Sequence, residues 1–250
     1  MNRMLLKKIA AVAAVMAGLL GAWPAQAQDW AGLNRFAADN AAFVAPADGK
    51  PVVVLLGDSI TEGWLKQRPD FFTLNGYVGR GISGQVSAQM LVRFRQDVIG
   101  LHPDVVVINA GTNDVAENQG PYQEEFTLGN IISMTELARA NDIAVVLTSV
   151  LPAAAFRWRP AITDAADKIA ALNARIRAYA ASQGIPYVDY YTPMVVADES
   201  RALNPAYSND GVHPVPDGYA VMEALVVKAV DKALAAKDAC LSSGDCDCCR

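Results

Sequence analysis

The strongest constraint on this chain is a repeated alternation. Short β-branched apolar runs, each closed by a glycine or a polar turn, are separated by longer stretches with helical spacing. "PVVVLLGDS" (51–59), "PDVVVINAG" (103–111) and "DIAVVLTSV" (142–150) are apolar on both alternating faces, the pattern of strands buried from two sides. "GIPYVDYY" (184–191) is a shorter run of the same kind, and a further strand leads into "GYVGRGISG" (76–84). Between them, Val86, Met90, Phe94 and Val98 step by four, with Arg93, Arg95 and Gln96 assigned to the other side of that helix. Residues 121–140, 161–183 and 216–236 carry similar helical patterns. Strand and helix alternating along a chain specify βαβ units, hence an α/β fold with a mainly parallel sheet covered on both faces.

The ends of the chain have a different character. Arg3, Lys7 and Lys8 precede an apolar run from Ile9 to Leu20, and Ala25-Gln26-Ala27 offers small residues at a cleavage position. Residues 1–27 are therefore expected to be a signal peptide, placing the mature protein in the periplasm or outside the cell. The run is shorter than the roughly 20 apolar residues needed to span hydrocarbon, so no stable membrane anchor is expected. Trp30, Leu33, Phe36, Ala37 and Phe43 suggest a leading helix within residues 28–50, packed on a single domain over 51–238. A Cys-rich tail follows at 239–250, where Cys240, Cys246, Cys248 and Cys249 are the only cysteines. Bridges within or between tails and a soft-metal site are open to it, but without a histidine nearby it is read as a variably oxidised extension.

Loss of the signal removes Arg3, Lys7 and Lys8, leaving 18 basic against 26 acidic residues and a formal charge of −8. A surface of that sign repels phosphate, which argues against nucleic acid and anionic membrane as partners.

Ligands of open parallel sheets bind beyond the carboxyl ends of the strands, so the residues following each strand carry the functional information. Gly57-Asp58-Ser59 closes the run at 51–59 and Gly111-Thr112-Asn113-Asp114 the run at 103–111, while "GRGISGQ" places Gly84 after the strand expected between them. Near the carboxyl end, "NDGVHP" sets Asp210 three residues before His213. The other histidine, His102, lies at the opposite end of a strand and is given a structural role. A serine nucleophile needs a base, because a free hydroxyl is too weak an acid to attack an ester at neutral pH. His213 can supply that base with Asp210 as its orienting acid, and the Ser59 N–H, the Gly84 N–H and the Asn113 amide can serve as an oxyanion hole. The loop "LPAAAFRWRP" could place Phe156, Arg157 or Trp158 beside such a site as substrate-binding residues.

GDSITEGW, RGISGQ, GTND and DGVHP, in that order, resemble the four blocks of the SGNH/GDSL hydrolases, in the branch near the platelet-activating-factor acetylhydrolase catalytic subunits and bacterial acyl esterases. The resemblance implies a flavodoxin-like three-layer α/β/α sandwich on a five-stranded sheet and no metal or organic cofactor. It implies Ser59 as nucleophile, Asp210 and His213 as acid and base, and Ser59, Gly84 and Asn113 as oxyanion donors. The expected substrate is a short-chain, acetyl-type ester, with an acetylated carbohydrate preferred. An acyltransferase, a lysophospholipase-type lipase and a catalytically silent carbohydrate binder are the alternatives. An α/β-hydrolase is disfavoured because no G-x-S-x-G elbow is present.

Overall fold

The computed structural model describes residues 29–47 and 49–243. The expected signal segment at 1–27 and Cys246, Cys248 and Cys249 lie outside the described residues.

Five strands form one parallel sheet: β1 (Val53–Gly57), β2 (Tyr77–Gly81), β3 (Val105–Ile108), β4 (Ala144–Thr148) and β5 (Tyr187–Val188), in the spatial order β2-β1-β3-β4-β5. This is the expected flavodoxin-like α/β/α arrangement. The central register aligns Val53 with Tyr77 and Val105, and Leu56 with Arg80 and Ile108. The carboxyl ends of β1, β2 and β3 are therefore level.

Helices cover both faces, and the period of two along each strand decides which residue goes where. Val54, Leu56, Val106, Ile108 and Leu147 pack against α4 (Ser87–Asp97), α6 (Glu124–Arg139) and α7 (Ala165–Ser182), through residues such as Phe94, Met134 and Leu172. Val53, Leu55, Val105, Val107 and Val146 face the opposite layer, made by α2 (Ser59–Gln67), α3 (Pro69–Asn75) and α9 (Pro216–Ser243). There Trp64 stacks on Tyr219 at 5.7 Å and meets Phe72 edge-on at 5.9 Å. Three short α-helices, α1 (Ala37–Ala41), α5 (Thr112–Val115) and α8 (Tyr191–Met194), and a 3-10 helix at Ile99–Leu101 make up the rest.

Three expectations change. The leading helix contracts to the five residues of α1, because Gly32 takes a φ of +68° and the Arg35 N–H turns back onto the Gly32 carbonyl. This segment is held by side chains instead: Asn40 donates to Asp97 and accepts from Arg80, and the Arg80 guanidinium lies 4.8 Å from the Phe36 ring. Arg93 is not on the solvent side of α4. It is completely buried, paired with Asp97 at 3.0 Å, and donates to the carbonyls of Gly57 and Arg80 and to Gln85. A four-residue apolar step marks the core face of a helix but cannot show that a polar neighbour tunnels beneath a sheet. Finally, α9 runs on past residue 236 to Ser243, burying Ala233 and Cys240.

Candidate active site

β1 ends at Gly57, and α2 begins two residues later with Ser59 in its first turn. Asp58 caps that helix: its Oδ1 accepts from the Ile60 N–H at 2.9 Å. The turn is tight because Gly81, at the end of β2, admits it. A Cβ at residue 81 would stand 2.2 Å from the Glu62 nitrogen and 2.7 Å from the Asp58 oxygen.

The β2 exit runs through Ile82 and Ser83 to Gly84, whose φ of +78° lies in the left-handed region that favours glycine. Its conformation, rather than lack of room, calls for glycine, since a Cβ there would meet only open space. Glu62 on α2 fixes this loop by accepting from the Ser83 N–H at 2.9 Å and from the Ser83 hydroxyl. Although its partial burial opposes charge, Lys66 and Ser83 hold the Glu62 carboxyl below the usual range.

After β3 the chain enters α5, which carries Asn113 and Asp114, both buried. Asp114 accepts from the N–H and hydroxyl of Ser87 at the start of α4 and from Thr127 at 3.2 Å, so it ties α4, α5 and α6 together. Burial pushes its carboxyl up. Asn113 Nδ2 donates to Asp58 Oδ2 at 2.9 Å.

The loop before α9 brings the last two groups. Asp210 Oδ1 accepts from the N–H groups of Val212 and His213 at 2.9 and 2.8 Å, folding the loop about its own carboxylate. Its Oδ2 is 2.7 Å from His213 Nδ1, and His213 Nε2 is 2.9 Å from the Ser59 hydroxyl. A carboxylate on Nδ1 fixes the tautomer with hydrogen there, which leaves the Nε2 lone pair facing Ser59. Partial burial works against charge on Asp210, but hydrogen bonds from the His213 N–H, the His213 ring and the Val212 N–H hold its carboxyl well below the usual range.

Ser59, His213 and Asp210 thus form a connected line, reaching across residues 59 to 213. Trp158, 44% exposed, stands with its ring centroid 6.3 Å from that of His213. Phe156 is fully buried and lies 5.3 Å beneath the Trp158 ring, a supporting position, while Arg157 is exposed. His102 sits before β3, at the far end of the sheet, with φ +48°. Two participants were not anticipated from sequence. Asp58 is the partner of Asn113, and Asn118 contacts both Asn113 and Trp158. The position of Asn118 depends on the path of an irregular loop, for which residue spacing carries no signal.

The family model for the GDSL-like lipase/acylhydrolase family matches residues 55–221, which includes every residue of this site. A crystal structure of a GDSL-like lipase from Bacteroides thetaiotaomicron is 60% identical, with a TM-score of 0.80, and the match covers 82% of this chain and 100% of that one. A protein from Bacteroides fragilis described as an acylhydrolase is 58% identical with a TM-score of 0.81, over 83% of this chain and 99% of its own. An acetylxylan esterase from Geobacillus stearothermophilus shares the fold at 17% identity and a TM-score of 0.55, over 72% and 94% of the two chains. A search of curated proteins finds no match. With the family model spanning most of the chain and two solved relatives near 60% identity, the protein belongs to the GDSL-like lipase/acylhydrolase family.

Proposed function

We propose that this member of the family is an exported serine esterase acting on short acyl esters, with Ser59 as nucleophile. The observation that carries the reading is the unbroken line from Asp210 through His213 to the Ser59 hydroxyl, with contacts of 2.7 and 2.9 Å. His213 takes the Ser59 proton as Oγ bonds to the ester carbonyl carbon, and Asp210 stabilises the resulting imidazolium. The carbonyl oxygen becomes an oxyanion, met by the Ser59 and Gly84 N–H groups and by the Asn113 amide. Collapse expels the alcohol, which receives its proton from His213, and water then repeats the sequence on the acyl-enzyme.

Acetyl or another short acyl group on a carbohydrate is the preferred substrate. The preference rests on the family, on the expected export signal and on an exposed indole beside His213 that can form one wall of the acyl or alcohol site. A nucleic-acid or membrane partner is not part of this reading, given the acidic mature chain. The test is hydrolysis of p-nitrophenyl acetate by the mature protein and by Ser59→Ala. Loss of turnover in the variant with unchanged folding supports the mechanism, and retained turnover ends it.

A further inference from the structure

Asn113 is useful to a developing oxyanion only if its amide nitrogen, and not its oxygen, faces the reacting carbonyl. The two ends of a primary amide have nearly the same shape, so packing alone does not choose between them; hydrogen bonds must. On one side, Nδ2 donates to Asp58 Oδ2 at 2.9 Å. On the other, Asn113 Oδ1 accepts from Asn118 Nδ2 at 2.7 Å. Asn118 is oriented in turn, because its Oδ1 accepts from Trp158 Nε1 at 2.9 Å. Its second amide hydrogen reaches towards the Gly84 carbonyl at 3.4 Å.

The series runs Trp158, Asn118, Asn113, Asp58, and its sense is set at both ends. An indole N–H can only donate, and a carboxylate can only accept. Turning either amide over would put two N–H groups face to face at one junction and two oxygens face to face at the other. With one Nδ2 hydrogen of Asn113 held by Asp58, the second is left for a substrate oxygen.

The geometry points to Asn118 as a positioning residue of the reaction, which with Trp158 fixes the amide of Asn113 in the sense that donates to the oxyanion. The inference rests on the proposed role of Asn113 as an oxyanion donor. Asn118 itself touches no reacting atom, and its effect passes through Asn113 and the Gly84 peptide.

A polarity device and a packing device respond oppositely to substitution. Asn118→Asp keeps the shape but turns the donor facing Asn113 Oδ1 into a charged acceptor, which draws the Asn113 amide into the wrong sense. Asn118→Ala merely removes the constraint. On p-nitrophenyl acetate, kcat is expected to fall about tenfold in Asn118→Ala and about 100-fold in Asn118→Asp, approaching the loss of an oxyanion donor, with KM little changed in both. Simple packing predicts the reverse order. Trp158→Phe keeps an aromatic ring at this partly exposed position and deletes the N–H. Its effect on kcat should be smaller when Asn118 is already alanine, as a double-mutant cycle requires of linked groups, whatever the ring contributes as a substrate wall being common to both backgrounds.

Wild-type kcat in both Asn118 variants, or the same effect of Trp158→Phe in both backgrounds, overturns the role of Asn118. If Ser59→Ala is inactive in the same assay, that result leaves the esterase reading standing. An active Ser59→Ala overturns the esterase reading, and the positioning role with it.

Discussion

Asp58 is buried completely, and burial lifts its carboxyl to about 6, against the lowering influence of the Ile60 N–H and of His213. Its ordinary value is 3.8, so the folded state binds the proton more tightly than the unfolded chain does. The contribution of Asp58 to stability is therefore fully present below about pH 4 and is lost as pH rises towards 6, by an amount on the order of 3 kcal/mol. Denaturation of wild type and Asp58→Asn across this range should show their difference shifting against the wild type as pH rises, then levelling. The ionised carboxylate is retained despite this cost because it caps α2 and accepts from Asn113, and a neutral amide offers only one oxygen for the two bonds. At Asn113 itself, substitution by alanine is expected to lower kcat by two to three decades, the scale of a lost oxyanion donor, measured on the same short ester.

Ser59 and Asn113 stand just beyond strands and His213 just before α9, and the closeness of those elements is set by small residues and the buried guanidinium of Arg93. Gly81→Ala would force backbone apart where α2 begins, so it should lower stability by about 1–3 kcal/mol in urea unfolding. Arg93→Ala leaves Asp97 charged in a dry environment and removes the donor to the Gly57 carbonyl, with an expected loss of about 3–5 kcal/mol by the same method. The strands and the residues at their carboxyl ends were legible in the sequence because burial from two sides leaves a continuous β-branched run with a sharp end. What stayed hidden lies where periodicity has no meaning. Arg93 shares its helix with polar residues that do face solvent, Gly32 interrupts an apolar spacing that otherwise suits a helix, and Asn118 depends on how four residues of loop are routed.

Over the molecule as a whole, α9 joins the two ends of the sheet. It starts three residues after His213, and its 28 residues extend roughly 40 Å. Near its far end, Lys237 donates to Asp104 just before β3 at 3.1 Å, and Cys240 shares a cavity lining with Ile143 and Ile185, which precede β4 and β5. Deleting residues 244–250 should leave turnover unchanged, since α9 ends at Ser243, a helix length away from His213. Deletion from Cys240 onwards should lower the melting temperature but leave kcat intact, since a buried side chain is removed far from Ser59. Both are read by thermal unfolding and ester hydrolysis on the same preparations. The long helix thus gives the protein a handle and a mouth on opposite sides: an enzyme grafted to a bead or a carrier through a linker beyond Ser243 should turn over as freely as it does in solution.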